Sequence, residues 1–199
     1  VFDENDLQRV EEKRKLYENG KKMLEELGYI EVGMDHFSLE KDDLYQSLIH
    51  KKLHRNFMGY TSSNTQLMVG LGMSAISDSW YAFAQNEKSV EEYQKRVEEG
   101  IIPVVKGHIL NEEDLKLRRH ILNLMCQLET TFTPENSFEE LPEALKKLQE
   151  MQEDGLVEIS GNTVKITEKG RVFTRNVAMA FDLRMMRKMP ETRLFSMTV

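Results

Sequence analysis

One cysteine, one tryptophan and four prolines are all that 199 residues contain of these types. A lone cysteine closes no intrachain disulfide and holds neither an iron–sulfur cluster nor a zinc site by itself. Cys126 sits in the apolar stretch 121–126, which reads it as a small core residue. No apolar run approaches the roughly 20 residues that cross a bilayer as a helix. The opening Val1-Phe2-Asp3-Glu4-Asn5-Asp6 has neither the basic start nor the apolar segment of a signal peptide. An initiator methionine is missing as well, which points to a fragment or a processed product. Positive charge is in deficit: 27 Lys and Arg face 34 Asp and Glu, a net of −7. Nucleic acid and anionic membranes reward clustered cations, so neither is an expected partner. A folded cytoplasmic protein is expected, with 40% hydrophobic residues to build its core.

What is present divides near residue 107. In 6–28, apolar residues recur at helical spacing up to Gly28, and the β-rich run 29–34 comes next, delivering Asp35-His36-Phe37 at its end. Helix then strand resembles one unit of an α/β architecture. A short acidic helix is expected around 41–53. The run 67–77, apolar with Gly70 and Gly72, reads as a buried strand that another backbone or a ligand approaches closely. Residues 80–85 offer a second strand, and Ser89-Val90-Glu91-Glu92 a capping box that opens a helix ending near Gly100. Asn111 is the expected N-cap of a long helix. Further on, a helix over 138–154, two alternating runs around Gly161-Asn162, and another helix after Thr167 make a winged-helix-like module. The fold class is α+β, with the C-terminal end of a partial α/β barrel in 1–106 and a helical winged-helix-like domain in 107–199.

Four segments in this order resemble the C-terminal portion of the oxygen-independent coproporphyrinogen III oxidases, members of the radical S-adenosylmethionine (SAM) family. They are Gly33-Met34-Asp35-His36-Phe37, His54-Arg55-Asn56-Phe57-Met58-Gly59-Tyr60-Thr61, Gly70-Leu71-Gly72-Met73-Ser74-Ala75-Ile76-Ser77 and Ala84-Gln85-Asn86. The likeness continues through Asp154-Gly155-Leu156-Val157, residues 167–171, residues 175–179 and Phe195-Ser196. It implies an enzyme of haem synthesis that converts two propionates of coproporphyrinogen III into vinyl groups with loss of carbon dioxide. SAM, cleaved beside a 4Fe-4S cluster, would supply the 5′-deoxyadenosyl radical that starts the reaction. The family's cluster cysteines lie N-terminal to everything present here, so this chain alone is expected to be inactive.

The resemblance also implies contacts to a second SAM from Phe57, Met58 and Ile76. Two of these are apolar walls for an adenosyl group, and Met58 stands where the family commonly has Gln, so an amide's hydrogen bonds are lost there. His36 and Arg55 are candidate pocket or propionate-binding residues, because imidazole and guanidinium both meet carboxylates. Ordinary structural hydrogen bonds or ion pairs account for them as readily. His50 and His54, at i,i+4 spacing, read as surface residues without a third metal ligand, and the methionines read mostly as core filler. Two other functions compete: a winged-helix DNA-binding regulator, disfavoured by the acidic residues around 139–158, and a haem-binding relative of the oxidases. Dimerisation through an exposed sheet edge is a further expectation.

Overall fold

The computed structural model describes residues 9–187; Phe195-Ser196 therefore falls outside the described residues. Helix α1 (Val10–Glu26) realises the first periodic stretch. Tyr17 and Lys21 project from adjacent turns of α1 to the two oxygens of Glu31, at 2.7 and 2.6 Å, and tie the helix to β1 (Tyr29–Gly33). The chain then reverses through Met34 and Asp35, with φ of 38° and 67°, the signs that a tight hairpin turn of the primed type requires. Strand β2 (His36–Leu39) returns antiparallel to β1. His36 accordingly opens a second strand instead of ending the first.

Helix α2 (Asp43–Ile49) starts at Asp42, whose carboxylate accepts from the Leu44 amide. A second hairpin comes after it, β3 (His54–Asn56) and β4 (Gly59–Thr61), with Phe57 and Met58 at its tip. Strands β5 (Leu67–Met68), β6 (Ile76–Ser79), β7 (Ala82–Asn86) and β8 (Val104–Ile109) form a meander in that order, with α3 (Val90–Glu98) between the last two. Ser89 caps α3 by accepting from the Glu92 amide.

One expectation finds no support here and another is corrected. Every strand pair among the described residues is antiparallel, so 9–106 shows hairpins and a meander, without the parallel strand pairs from which an α/β barrel is built. Most of the connections are only a few residues long, whereas parallel neighbours need crossovers of a dozen or more. The apolar run 67–77 is not one buried strand either. It is two short strands joined by a loop, and Leu67 on β5 and Val69 and Leu71 in the loop are exposed.

In the second half Asn111 caps α4 (Glu112–Gln127) by accepting from the Asp114 amide, and Asp114 accepts from the Asn111 amide in return. Next come β9 (Glu129–Thr131), α5 (Leu141–Lys147) and α6 (Gln149–Glu153), which divide the expected 138–154 helix at Leu148. The hairpin of β10 (Val157–Ser160) and β11 (Thr163–Ile166) turns at Gly161-Asn162, as expected from its alternation. β9 adds to β11, giving the order β10-β11-β9, and α7 (Thr174–Met179) and α8 (Leu183–Arg187) come last.

The architecture is thus mixed α+β, organised on α4. Leu124 faces one core with Phe132, Leu148, Val157, Val164, Val177 and Phe181. Met125 and Cys126 face another with Val32, Leu53 and Tyr60, and Ile121 packs against both. Each fully buried side chain of this size contributes about 1.5–3 kcal/mol relative to exposure, which fixes α4 against the two N-terminal hairpins.

Candidate functional site

The β3–β4 hairpin and the meander meet edge to face. Phe57, at the hairpin tip, packs T-shaped on Phe83 of β7, with ring centroids 5.7 Å apart. In the β6–β7 register Asp78 opposes Phe83 and Ile76 opposes Gln85. Because strand side chains alternate, Ile76, Asp78, Phe83 and Gln85 occupy one face of the sheet. Phe57 therefore leans on the face that carries Ile76. Met58 lies beside Phe57 and is 83% exposed, its amide donating to the Asn56 side chain at 2.8 Å. Met23 (65% exposed) and Met73 are uncovered too, so the core-filler reading holds for Met125 and fails for these three.

Arg118 of α4 closes the other end of this face. Its guanidinium stacks 4.9 Å from both the Trp80 and Phe83 ring centroids, pairs with buried Asp78 at 2.7 Å, and donates to the Ser79 and Trp80 carbonyls. His54 of β3 borders the same region, and burial together with the nearby Arg118 charge lowers its pKa. It is half-buried instead of the surface residue expected, whereas His50 is exposed and donates to the Gln46 carbonyl. No group of three or more metal-ligating side chains occurs among the described residues.

The glycine loop between β5 and β6 is fixed by Asn86 and Ser77, two residues of the resemblance motifs whose partners the sequence did not reveal. Asn86, buried on β7, donates through Nδ2 to the carbonyls of Gly70 and Gly72 at 3.1 and 2.9 Å. The Gly70 amide donates to Ser77 Oγ. A side chain at Gly70 would stand 2.7 Å from the Ile76 carbonyl oxygen, so the close approach read from the sequence is that of the chain's own backbone.

His36 and Arg55 lie behind the hairpin. His36 donates from Nδ1 to the Met34 carbonyl at 2.9 Å and meets Tyr60 edge-on at 5.1 Å. Its Nε2 lies where a side chain on Gly59 would begin. Arg55 lies 5.5 Å over the Tyr60 ring. It has no carboxylate partner among the described residues, and its buried Nε has no hydrogen-bond acceptor. Tyr60 donates to the Met125 carbonyl at 2.8 Å, and burial pushes its hydroxyl up to about 12.

A 4Fe-4S cluster does not fit this residue set. Cys126 is buried, and burial pushes its thiol up to about 12 against the pull of Arg55, far from the thiolate that a cluster requires. The Phe57–Phe83–Ile76 face, by contrast, presents aromatic and aliphatic surface.

No protein-family model matches the chain. A solved structure from Escherichia coli, described as coproporphyrinogen III oxidase and as a radical SAM enzyme, superposes with a TM-score of 0.84 at 31% identity, covering 92% of this chain and 44% of that one. That overlap defines the class: a chain with the fold of one part of that radical SAM enzyme. Oxygen-independent coproporphyrinogen III oxidases from Synechocystis (31% identical over 98% of this chain), Escherichia coli (34% over 80%) and Helicobacter pylori (31% over 91%) are similar along the sequence. The chain belongs to the oxygen-independent coproporphyrinogen III oxidase family and corresponds to its C-terminal portion. It spans 44% of the length of the Synechocystis relative and 36% of the Escherichia coli one.

Proposed function

We propose that the chain supplies the C-terminal part of an anaerobic coproporphyrinogen III oxidase, in which two substrate propionates become vinyl groups, giving protoporphyrinogen IX. The packing of Phe57 on the sheet face that carries Ile76 supports this reading most directly. Phe57 and Ile76 would hold a second SAM, beside the one cleaved at the cluster, by covering its adenine and its sulfonium-bearing chain, and Met58 would add apolar surface from the exposed tip. SAM supplies the radical that opens this class of decarboxylation. The residues of this chain bind, orient and exclude water; they do not hold the cluster.

Arg55 is the proposed propionate ligand, since its guanidinium is free of carboxylates while Tyr60 fixes its orientation. His36 is proposed to line the same pocket; with Nδ1 donating to Met34, its neutral tautomer presents Nε2 as an acceptor. The proposed division near residue 107 would fall within β8, which runs from Val104 to Ile109. The order β10-β11-β9 beside α4, α5 and α6 supports a winged-helix-like description of the second domain. No helix among the described residues is long and apolar enough to cross a membrane, and a cytoplasmic location is proposed. The free side of six-residue β8 is the edge through which a dimer would pair.

Joining the N-terminal part of the Escherichia coli relative to this chain and reconstituting the cluster under anoxia tests the reading. Formation of protoporphyrinogen IX from coproporphyrinogen III is expected from the chimera, and none from the chain alone. A folded, cluster-loaded chimera that binds haem tightly and leaves the propionates intact would contradict it.

A further inference from the structure

Arg118 reaches from α4 into the meander with its side chain 13% exposed, and the Asp78 side chain it meets is 8% exposed. Taking such a pair out of water costs about as much as the attraction returns, and apolar replacements of similar volume are often no less stable. What the pair contributes is therefore geometry. One terminal nitrogen of the guanidinium donates to the Ser79 carbonyl at 2.8 Å and to the Trp80 carbonyl at 3.3 Å, while the other donates to Asp78. The same planar group lies over the Trp80 and Phe83 rings.

These contacts bracket the turn from β6 to β7. Ile76 stands three residues before Ser79, and Phe83 stands three residues after Trp80. One side chain thus fixes where both strands leave their turn, and it also fixes the ring on which Phe57 leans. The base from which it reaches is firm, because α4 buries Leu124 in one core and Met125 and Cys126 in the other. A lysine would satisfy Asp78 as a point charge, but it has no plane to lay on two rings and no fork to span the carbonyls.

We propose that Arg118 is a positioning residue for the second SAM: it holds Phe83 and the β6–β7 turn so that Phe57 and Ile76 close on the ligand together. This rests on the reading that Phe57 and Ile76 hold that ligand. Arg118 itself acts through the ring and the turn.

Equilibrium dialysis of labelled SAM against the cluster-loaded chimera tests it, with the second molecule counted beyond the one at the cluster. Arg118→Lys keeps the charge opposite Asp78 and should weaken binding of the second SAM about tenfold, as loss of the ring contacts implies. The SAM at the cluster should bind as before. The double variant Arg118→Met, Asp78→Leu removes both buried charges together and should show the same selective loss. Val177→Ala opens a cavity in the core around Leu124, lowers stability by another route, and should leave both SAM molecules bound as in the native chimera. Native affinity for the second SAM in either Arg118 variant, a matching loss of the SAM at the cluster, or an equal loss in Val177→Ala would overturn the proposal. Phe57→Ala with Ile76→Ala separates the two levels. If that pair loses the second SAM and Arg118→Lys keeps it, the positioning role alone falls; if that pair also keeps it, the reading beneath falls and takes the role with it.

Discussion

Asp114 shows how a single side chain can join distant parts of this chain. Its carboxylate caps α4 through the Asn111 amide, accepts two bonds from Arg184 at 2.7 Å each, and meets His108 Nε2 at 3.1 Å. The Arg184 guanidinium, with the amide and imidazole bonds, holds its pKa at about 2 despite its burial. The folded pKa lies below the unfolded one, so the stabilisation is present above about pH 4 and is lost as pH falls toward 2. With Arg184 partly solvated, about 1–2 kcal/mol is expected. Urea unfolding of Asp114→Asn should show that deficit at pH 7 and a shrinking one below pH 4. The cap at Asn111 is legible in a few local letters, whereas Arg184, 70 residues away, is announced by no pattern. Tyr60→Phe removes a buried hydrogen bond to the Met125 carbonyl and should cost about 1 kcal/mol in the same assay.

At the scale of elements, the loop between β5 and β6 marks where sequence reading stopped. Apolar spacing identifies side chains that prefer cover but does not say whether cover arrives, so 67–77 resembled a buried strand. Glycine carried better information: the close approach at Gly70 is real, and Ile76 is what approaches. Asn86 anchors the loop by donating to two carbonyls, and aspartate of the same shape would turn oxygen toward oxygen. Asn86→Asp should therefore lower stability more than Asn86→Ala, by about 1–3 kcal/mol relative to the native chain, in thermal or urea unfolding. Equal effects would show that the amide is not holding the loop. Gly59→Ala places a side chain on His36 Nε2 at φ 127° and should destabilise the hairpin that presents Phe57 by a comparable amount.

Over the whole molecule, the family was legible because its motifs keep their order along the chain, and strand direction was not. A motif records which residues surround a site; parallel or antiparallel pairing is decided by connection lengths and by partners far away. The Gly161-Asn162 hairpin was legible because turn and alternation are local, while the three-residue β9 that completes its sheet is too short to leave a period. The candidate site falls between these cases. Phe57 and Ile76 came from the resemblance, and Phe83, Asp78 and Arg118, which bring them onto one face, were missed because each reads alone as an ordinary core or surface residue.

That shared face is central as the proposed seat of an adenosyl ligand. Its most direct test counts SAM bound per protein in the cluster-loaded chimera, with and without Phe57→Ala and Ile76→Ala together. The double substitution should leave the cluster absorbance and the chain's circular dichroism unchanged while removing one bound SAM; an unaltered SAM count would contradict the account.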